Sequence, residues 1–170
     1  GTVLGAVRHE GFIPWDEDID LGMDRENYEK FLFVSKKLNN KYFYIENYRY
    51  TKHVAHALTR VCFKGTYLVN DTLSDKYDHA FHIDIFPLDF VPLTTLNQKE
   101  QEKKLLFLKN KLYYKTVAYH GGIIKRFGLF LVKSLLVFSS SCKITKKMDY
   151  IASKKYTNQV DGHIICSMMS

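Results

Sequence analysis

Cysteine, proline and tryptophan are all scarce in this chain of 170 residues. The three cysteines, Cys62, Cys142 and Cys166, have no Cys-x-x-Cys spacing, which excludes the usual zinc-site signature and a disulfide framework. An odd and low cysteine count is typical of a reducing compartment. The three prolines and nine glycines form no linker-like cluster, and no internal repeat is visible. With 46% hydrophobic residues, this composition predicts one globular domain.

Long apolar runs are absent as well. The most apolar segment, residues 123–138, is interrupted by Lys125, Arg126 and Lys133, so it falls short of the ~20 residues that a membrane-spanning helix needs. Two predictions stay open for this segment. It is either a helix packed on the rest of the domain, or an interfacial helix with its apolar face on a membrane and its lysines toward anionic head groups.

Acidic residues are rare in the second half of the chain. Residues 1–98 contain 11 Lys and Arg against 14 Asp and Glu, a net charge of −3. Residues 99–170 contain 14 against 4, a net charge of +10. The lysines lie on predicted helices without a recognised nucleic-acid module, so no nucleic-acid partner is expected.

The hydrophobic pattern changes at the same place as the charge. Before residue 94, it predicts a helix over residues 25–38 with Asp24 as its N-cap, and strands near residues 42–46, 57–63 and 80–87. From Thr95 onward helical spacing dominates, with an apolar stripe formed by Leu105, Leu106, Leu108, Leu112 and Tyr113. We predict an α/β core in residues 1–94 and a basic helical region in residues 95–170, packed on the core as part of one domain.

The densest feature of the chain is the acidic stretch Trp15-Asp16-Glu17-Asp18-Ile19-Asp20. Carboxylates at this density repel one another unless a cation neutralises them. In an extended segment Asp16, Asp18 and Asp20 would point to one face, where hard oxygen ligands suit Mg²⁺ or Mn²⁺ together with substrate phosphates. The stretch therefore predicts a metal-dependent site that acts on phosphate.

Three other interpretations compete with this metal site. A solvated acidic loop would tolerate the charges, although the flanking Ile13, Trp15, Ile19 and Leu21 favour a partly buried segment. An EF-hand loop beginning at Asp16 is excluded, because its sixth and twelfth positions are Leu21 and Asn27 instead of glycine and glutamate. A glycosyltransferase-type Asp-x-Asp pair stays open, since one such pair has little specificity.

Two longer motifs together resemble a known family. The first is Gly-Thr-x-Leu-Gly-Ala-x-Arg-His-x-Gly-Phe-Ile-Pro-Trp-Asp-x-Asp-Ile-Asp in residues 1–20, and the second is His-x-Asp-Ile-Phe-Pro-Leu-Asp in residues 82–89. They resemble the LicD family, which is similar to the fukutin-type phosphotransferases and belongs to the nucleotidyltransferase-fold superfamily. The resemblance is strong over residues 1–90. It implies an α/β (α+β) fold, a mixed sheet with flanking helices, followed by a helical region.

The resemblance also implies roles for the first motif. Asp18 and Asp20 match the paired metal ligands of the family, and Asp16 is either a further ligand or a support for its neighbours. Gly1 and Thr2 resemble the superfamily's Gly-Ser/Thr turn, in which a hydroxyl and backbone N–H groups face a donor phosphate.

The second motif adds a third carboxylate. In residues 80–86, Ile83 and Ile85 alternate with His82, Asp84 and Phe86, which predicts a strand with Asp84 on the face opposite the isoleucines. Asp84 would lie beside the first two carboxylates, where it completes the metal site or accepts a proton from the attacking hydroxyl. His82 lacks metal-ligand spacing and is expected to be structural.

Two arginines are candidates for phosphate contacts. Arg8 lies roughly two helical turns past the glycine turn and would reach a phosphate oxygen, or else form a salt bridge with an aspartate. Arg60 lies where related sequences carry a basic residue. Its alternative is an exposed cation on a surface strand.

The function that the resemblance implies is enzymatic. It is the metal-dependent transfer of a phospho-alcohol, phosphocholine from CDP-choline or a related group from another CDP-alcohol, to a glycan or glycolipid precursor of lipopolysaccharide, teichoic acid or capsule. Mg²⁺ or Mn²⁺ is the expected cofactor. The expected location is the cytoplasm, at the inner face of the cell membrane, where a basic surface would suit membrane-linked anionic acceptors.

Two other functions stay open. A nucleotidyltransferase acting on a small alcohol or sugar would use the same aspartates, and a membrane-associated binding module would need no catalysis. The family pattern also has a helix and strand before the glycine turn, and an acidic section with Tyr-Gly-Asp after the helical region. Neither is present in these residues, so we expect a fragment that can be inactive alone.

Overall fold

A computed structural model describes residues 1–15, 18–37, 41–69, 72–77, 80–92, 94–119, 121–154 and 164–165. Along this part of the chain the elements are α1 (Thr2–Arg8), β1 (Asp20–Asp24), α2 (Arg25–Ser35), β2 (Phe43–Glu46), β3 (Thr59–Phe63), β4 (His82–Phe90), α3 (Thr95–Thr116), α4 (Ile123–Leu135), α5 (Ser141–Ala152) and β5 (Ile164–Ile165). The predicted α/β fold with a following helical region is confirmed.

The strands form a mixed sheet in the order β1-β4-β3-β2, and β5 pairs with the end of β4. Strand β1 runs parallel to β4, whereas β3 is antiparallel to β4 and to β2. In this register Asp20 pairs with Asp84, Asp84 with Arg60, and Arg60 with Glu46. Because directly paired residues point to the same face, the four charged side chains form one row across the sheet.

The opposite face of the sheet is apolar and is covered by α2. Tyr28 and Leu32 of the helix bury themselves against Ile85, which lies next to Asp84 in sequence and therefore faces the other way. As predicted, Asp24 is the N-cap of α2, since its carboxylate accepts the Asn27 N–H at 3.0 Å. Packing on one face thus leaves the other face for the charged row.

Several predicted boundaries differ from the structure, by one to three residues each. Helix α2 ends at Ser35 instead of residue 38, because the Ser35 hydroxyl and the following N–H groups bond back to the last turn. Strand β3 begins at Thr59, where its pairing with Ile85 begins. Strand β4 continues past Pro87 to Phe90, because the parallel strand β1 and the short β5 extend its ladder.

A second apolar core lies between α3 and α5. Leu105, Leu108 and Leu112 of α3 pack with Ile144 and Met148 of α5. The spacing of the three leucines, three and then four residues, puts them on one side of the helix. The predicted stripe was wrong for Leu106 and Tyr113, which are exposed because each follows a buried leucine by one residue, about 100° around the helix.

Helix α4 rests near the end of α3 and contains no buried residue. The helix is attached to α3 on one side and exposed on the other, so packing on the domain and contact with a membrane both stay predictions for residues 123–138. Within the described ranges, no helix combines the length and the apolar character needed to cross a membrane.

A buried ion network joins the sheet to α5. Arg25 donates through Nε and Nη2 to the two carboxylate oxygens of Asp89, at 2.7 and 2.5 Å, and through Nη1 to Asp149 Oδ1 at 2.8 Å. Asp149 also accepts the Tyr48 hydroxyl at 2.7 Å and Arg49 Nη2 at 3.2 Å. These contacts cross residue 94, where the two regions were divided from the sequence. That division stays a prediction.

Acid should weaken the fold through Asp149. Burial alone raises the pKa of its carboxyl, but the Tyr48 hydrogen bond and the Arg25 charge outweigh burial and hold the pKa below its ordinary value of 3.8. Such a group contributes stability that is full above the unfolded pKa and is lost as pH falls through the folded one. We expect the free energy of unfolding in urea to fall with acid below about pH 5, and Asp149→Asn to reduce that slope. Asp75→Asn, at an exposed position, is the control and should keep the pH dependence of the unchanged protein. If Asp149→Asn kept it as well, Asp149 would not be the group that makes the fold sensitive to acid.

Candidate active site

Asp20 and Asp84 lie side by side at the start of β1. They are directly paired in the parallel ladder, and the Asp84 N–H donates to the Ile19 carbonyl at 3.0 Å. Neighbouring strands are about 4.8 Å apart, so paired side chains on one face are close neighbours. The structure therefore brings together two of the three carboxylates predicted to be catalytic.

The rest of the acidic stretch is not part of the strand. The ladder with β4 begins at Asp20, so Asp18 lies beyond it in an irregular, exposed segment. An extended segment was expected to carry Asp16, Asp18 and Asp20 on one face. In the structure the strand begins only at Asp20. Asp16 lies outside the described residues. The metal-binding roles of Asp16, Asp18, Asp20 and Asp84 stay predictions.

Arg60 is held against Asp84 from the neighbouring strand. Its Nε donates to Asp84 Oδ1 at 3.0 Å, and the two side chains are 19% and 16% exposed. Arg60 is thus a strand cation paired with a carboxylate and partly sheltered from solvent. A charge-assisted hydrogen bond in so sheltered a place fixes the orientation of the Asp84 carboxylate. Contact of Arg60 with a phosphate stays a prediction.

His82, which was expected to be structural, lies beside Asp84. Its Nδ1 lies 2.8 Å from the Ala80 carbonyl, and its Nε2 lies 3.6 Å from Asp84 Oδ1. Because a carbonyl only accepts hydrogen bonds, Nδ1 carries the proton and Nε2 is left facing Asp84. The signal in the sequence was the spacing of two on a strand, which puts His82 and Asp84 on one face.

Gly1 and Thr2 adjoin the paired carboxylates. Gly1 is the N-cap of α1, and the Thr2 Oγ1 accepts the backbone N–H of Asp20 at 2.9 Å. Since the hydroxyl accepts that bond, its own proton can be donated to an oxygen of a ligand. An open pocket of about 330 Å³ lies here, within the usual range for small-molecule sites. It is lined by Gly1, Thr2, Gly5, Ala6, Glu10, Gly11, Phe12 and Ile13.

Arg8 is not brought to the carboxylates. It lies at the far end of α1, is exposed, and donates through Nε to His9 Nδ1 at 3.3 Å. In the part of the chain that the structure describes, it forms no ion pair with an aspartate. Its predicted contact with a donor phosphate is untested.

Gly5 allows the pocket to form. A Cβ on Gly5 would lie 2.7 Å from the Gly11 carbonyl oxygen and 3.3 Å from the Ile13 nitrogen. Both neighbours are backbone atoms, so the chain that returns beside α1 would have to shift. The absence of a side chain at Gly5 therefore sets the distance between α1 and the segment that leads to Asp20.

We expect Gly5→Ala to lower the free energy of unfolding by about 1–3 kcal/mol, the usual range for overpacking. Gly11→Ala is the matched control, because its Cβ would find its nearest neighbour at 3.9 Å. Urea unfolding of the two variants measures the difference. Equal stability of the two would show that the backbone contact is not tight.

The carboxylate oxygens of Asp20 and Asp84 are suitable ligands for a hard divalent cation. Mg²⁺ is usually bound by one or two carboxylates, with substrate phosphates and water as further ligands. Asp20 and Asp84 supply such a pair. Among the described residues no group of three or more His, Cys, Asp or Glu side chains is placed to hold a metal ion.

Comparison with known proteins gives relatives that differ in coverage. Over 168 residues the chain is 31% identical to the lipopolysaccharide cholinephosphotransferase LicD of Haemophilus influenzae. The alignment covers 89% of this chain and 60% of that protein. The chain is also 33% identical over 95 residues to an uncharacterized protein of Rickettsia prowazekii, in an alignment that covers 52% of this chain and 36% of the relative. The chain thus spans no more than about 60% of the length of these relatives. No solved structure gives a significant match.

The family comparison includes the whole charged row. The family described as "LicD/FKTN/FKRP, nucleotidyltransferase domain" matches residues 1–118. That range contains the glycine turn, Asp20, Arg60 and Asp84, together with both motifs that carried the resemblance. Since the match extends over more than half of its residues, this chain belongs to the LicD/FKTN/FKRP nucleotidyltransferase-domain family.

Proposed function

We propose that the intact protein transfers a phospho-alcohol, phosphocholine carried by CDP-choline, to a hydroxyl group of a cell-surface glycan precursor, and that the reaction needs Mg²⁺ or Mn²⁺. The observation that carries this proposal is the pairing of Asp20 with Asp84 in a chain of this family. The Haemophilus influenzae relative is a lipopolysaccharide cholinephosphotransferase, which supports the choice of choline and of a glycan acceptor.

In this proposal the carboxylates hold the cation. Asp18 and Asp20 would bind the Mg²⁺ or Mn²⁺ ion, which when bound offsets negative charge on the donor phosphates. Arg60 keeps the Asp84 carboxylate in place through its 3.0 Å hydrogen bond. Placing charged groups before the reaction is a large part of electrostatic catalysis, because they need not reorganise during the step.

The glycine turn would receive the donor. The Thr2 hydroxyl is held by the Asp20 N–H, and its proton is directed to a phosphate oxygen in the pocket beside α1. The acceptor oxygen then bonds to the phosphorus that carries choline, while the bond from that phosphorus to CMP breaks. Asp84, with His82 at 3.6 Å, accepts the proton that the acceptor hydroxyl loses.

The test is product analysis with the intact protein. CDP-choline, Mg²⁺ and a membrane glycan extract are incubated together, and CMP is followed by chromatography. We expect CMP release that requires the extract and stops when the metal is chelated. Turnover of CDP-ribitol but not of CDP-choline would change the alcohol and keep the reaction. Pyrophosphate released from CTP would instead indicate a nucleotidyltransferase, and no turnover of any donor would indicate a binding module.

A further inference from the structure

Helix α4 presents a continuous apolar face to solvent. We call this surface the α4 outer face, and its members are Ile123, Ile124, Phe127, Phe130, Leu131 and Leu135. The spacing of these positions puts all six side chains on one side of the helix. They are between 49% and 89% exposed. An apolar face of this size on a single surface helix is typical of a binding surface.

Polar contacts, and not an apolar core, fix the direction of this face. Lys133 donates its Nζ proton to the Val117 carbonyl at 2.5 Å, and Lys115 donates to the Leu136 carbonyl at 2.8 Å. Lys133 also lies over the Tyr119 ring, 4.4 Å from its centroid. These two lysine bonds attach α4 to the end of α3. The helix is held on its inner side, and the outer face is left toward solvent.

Cations surround the outer face. Lys125 and Arg126 are exposed on α4 itself, on opposite flanks of the apolar stripe. On the inner side, burial and then the charge of Lys76 lower the pKa of Lys115, and the same causes, with Lys115 added, lower the pKa of Lys133. The exposed Lys125 and Arg126 are therefore the cations of α4 that an anionic surface can reach.

We propose that α4 is an interfacial helix that binds an anionic phospholipid surface, with its outer face in the acyl region and its cations at the phosphate head groups. A helix of 13 residues is about 20 Å long, and such a helix lies in the plane of the interface when it is amphipathic and basic. Charge argues against a second copy as the occupant, since pairing two such faces would bring the same cations together. This inference goes beyond the proposed function, because lipid binding requires no turnover.

Vesicle sedimentation with the intact protein tests the proposal. The probes are vesicles of phosphatidylcholine alone, and of phosphatidylcholine and phosphatidylglycerol in equal amounts. We expect binding to the mixed vesicles that weakens as salt is added. Ile124→Glu with Phe127→Glu should lower the vesicle partition coefficient at least about 10-fold, because two inserted apolar groups become charged. The matched control is Phe33→Glu with Val34→Glu, an exposed apolar pair on α2, and it should bind like the unchanged protein.

A second α4 variant tests lipid binding even if Ile124→Glu with Phe127→Glu fails to fold. Lys125→Glu with Arg126→Glu leaves the apolar residues intact and should remove the preference for phosphatidylglycerol. The proposal is overturned if the intact protein binds neither kind of vesicle, or if the α4 and α2 variants bind equally. A dimer that only the α4 variant dissociates, without vesicle binding, would make the face a contact between copies. Unfolding of the α4 variant in lipid-free buffer would show that protein already covers the face.

Discussion

Asp20→Asn and Asp84→Asn should each lower the turnover of the intact protein at least about 100-fold, the usual loss when one preorganised electrostatic group is removed from an active site. Asparagine has nearly the shape of aspartate but carries no negative charge, so the change tests charge more than packing. The two residues are neighbours in one ladder and share one face of the sheet. Neutralising Asp20 would remove a cation ligand from the place where the donor phosphates are expected, and neutralising Asp84 would remove the group that accepts the proton.

The two variants are distinguished by what else they disturb. Asp84→Asn also takes the carboxylate away from Arg60, so it should reduce stability as well as turnover. Asp20→Asn leaves that ion pair intact and is the sharper test. CMP release at saturating donor, together with thermal unfolding, measures both effects. Asp75→Asn, an exposed carboxylate outside the sheet, should leave both unchanged. An Asp20→Asn variant with near-normal turnover would remove the proposed mechanism.

Local patterns were enough to predict the centre of this site. The alternation of His82, Asp84 and Phe86 with isoleucines determined the face on which Asp84 lies, because side chains alternate in a strand. The capping role of Asp24 followed from a residue type whose side chain accepts hydrogen bonds from the first helical turn. Both features depend on neighbours within a few residues, which a single sequence displays directly.

The register between strands was not available from such patterns. That Asp20 pairs with Asp84, and Asp84 with Arg60, depends on which strands are adjacent and on their direction. Alternation states only which face a residue occupies within its own strand. His82 is a different case, because it lies on the same strand as Asp84: it was assigned a structural role for want of metal-ligand spacing, and its ring lies 3.6 Å from the Asp84 carboxylate.

In the helical region, too, the sequence pattern did not predict which segments contact each other. The leucines of α3 were correctly expected to be apolar contacts, but only the partner α5 determines which of them are covered. The direction of α4 depends on two lysine-to-carbonyl bonds between segments 16 and 21 residues apart. No hydrophobic period encodes those bonds, so packing on the domain and contact with a membrane were left as alternatives for the segment.

The ion network around Arg25 is the largest structural feature that the sequence did not reveal. Arg25 is 64 residues from Asp89 and 124 residues from Asp149. The second motif includes Asp89, but it does not predict that an arginine pairs with this residue. In the structure Arg25 directly follows β1, and Asp89 lies at the end of β4. The network therefore fastens the far end of the same two strands that carry Asp20 and Asp84.

Arg25→Met should cost about 3–5 kcal/mol of the free energy of unfolding, because breaking a buried ion pair leaves the partner charge uncompensated. The carboxylates of Asp89 and Asp149 are only 3% and 10% exposed, so water cannot replace the lost guanidinium well. Arg49 still contacts Asp149 at 3.2 Å, which leaves Asp89 as the more severely affected partner. Urea unfolding of the variant measures the loss.

Lys30→Met provides a matched control on the same helix. Lys30 forms an ion pair with Glu26 in which both side chains are well exposed, and screened pairs of this kind contribute little. Adding Asp149→Asn should therefore cost less in the Arg25→Met background than in the unchanged protein, since the two residues share one network. If Arg25→Met were no more destabilising than Lys30→Met, the network would be a surface contact. The alignment of Asp20 with Asp84 would then have to depend on the strand ladder alone.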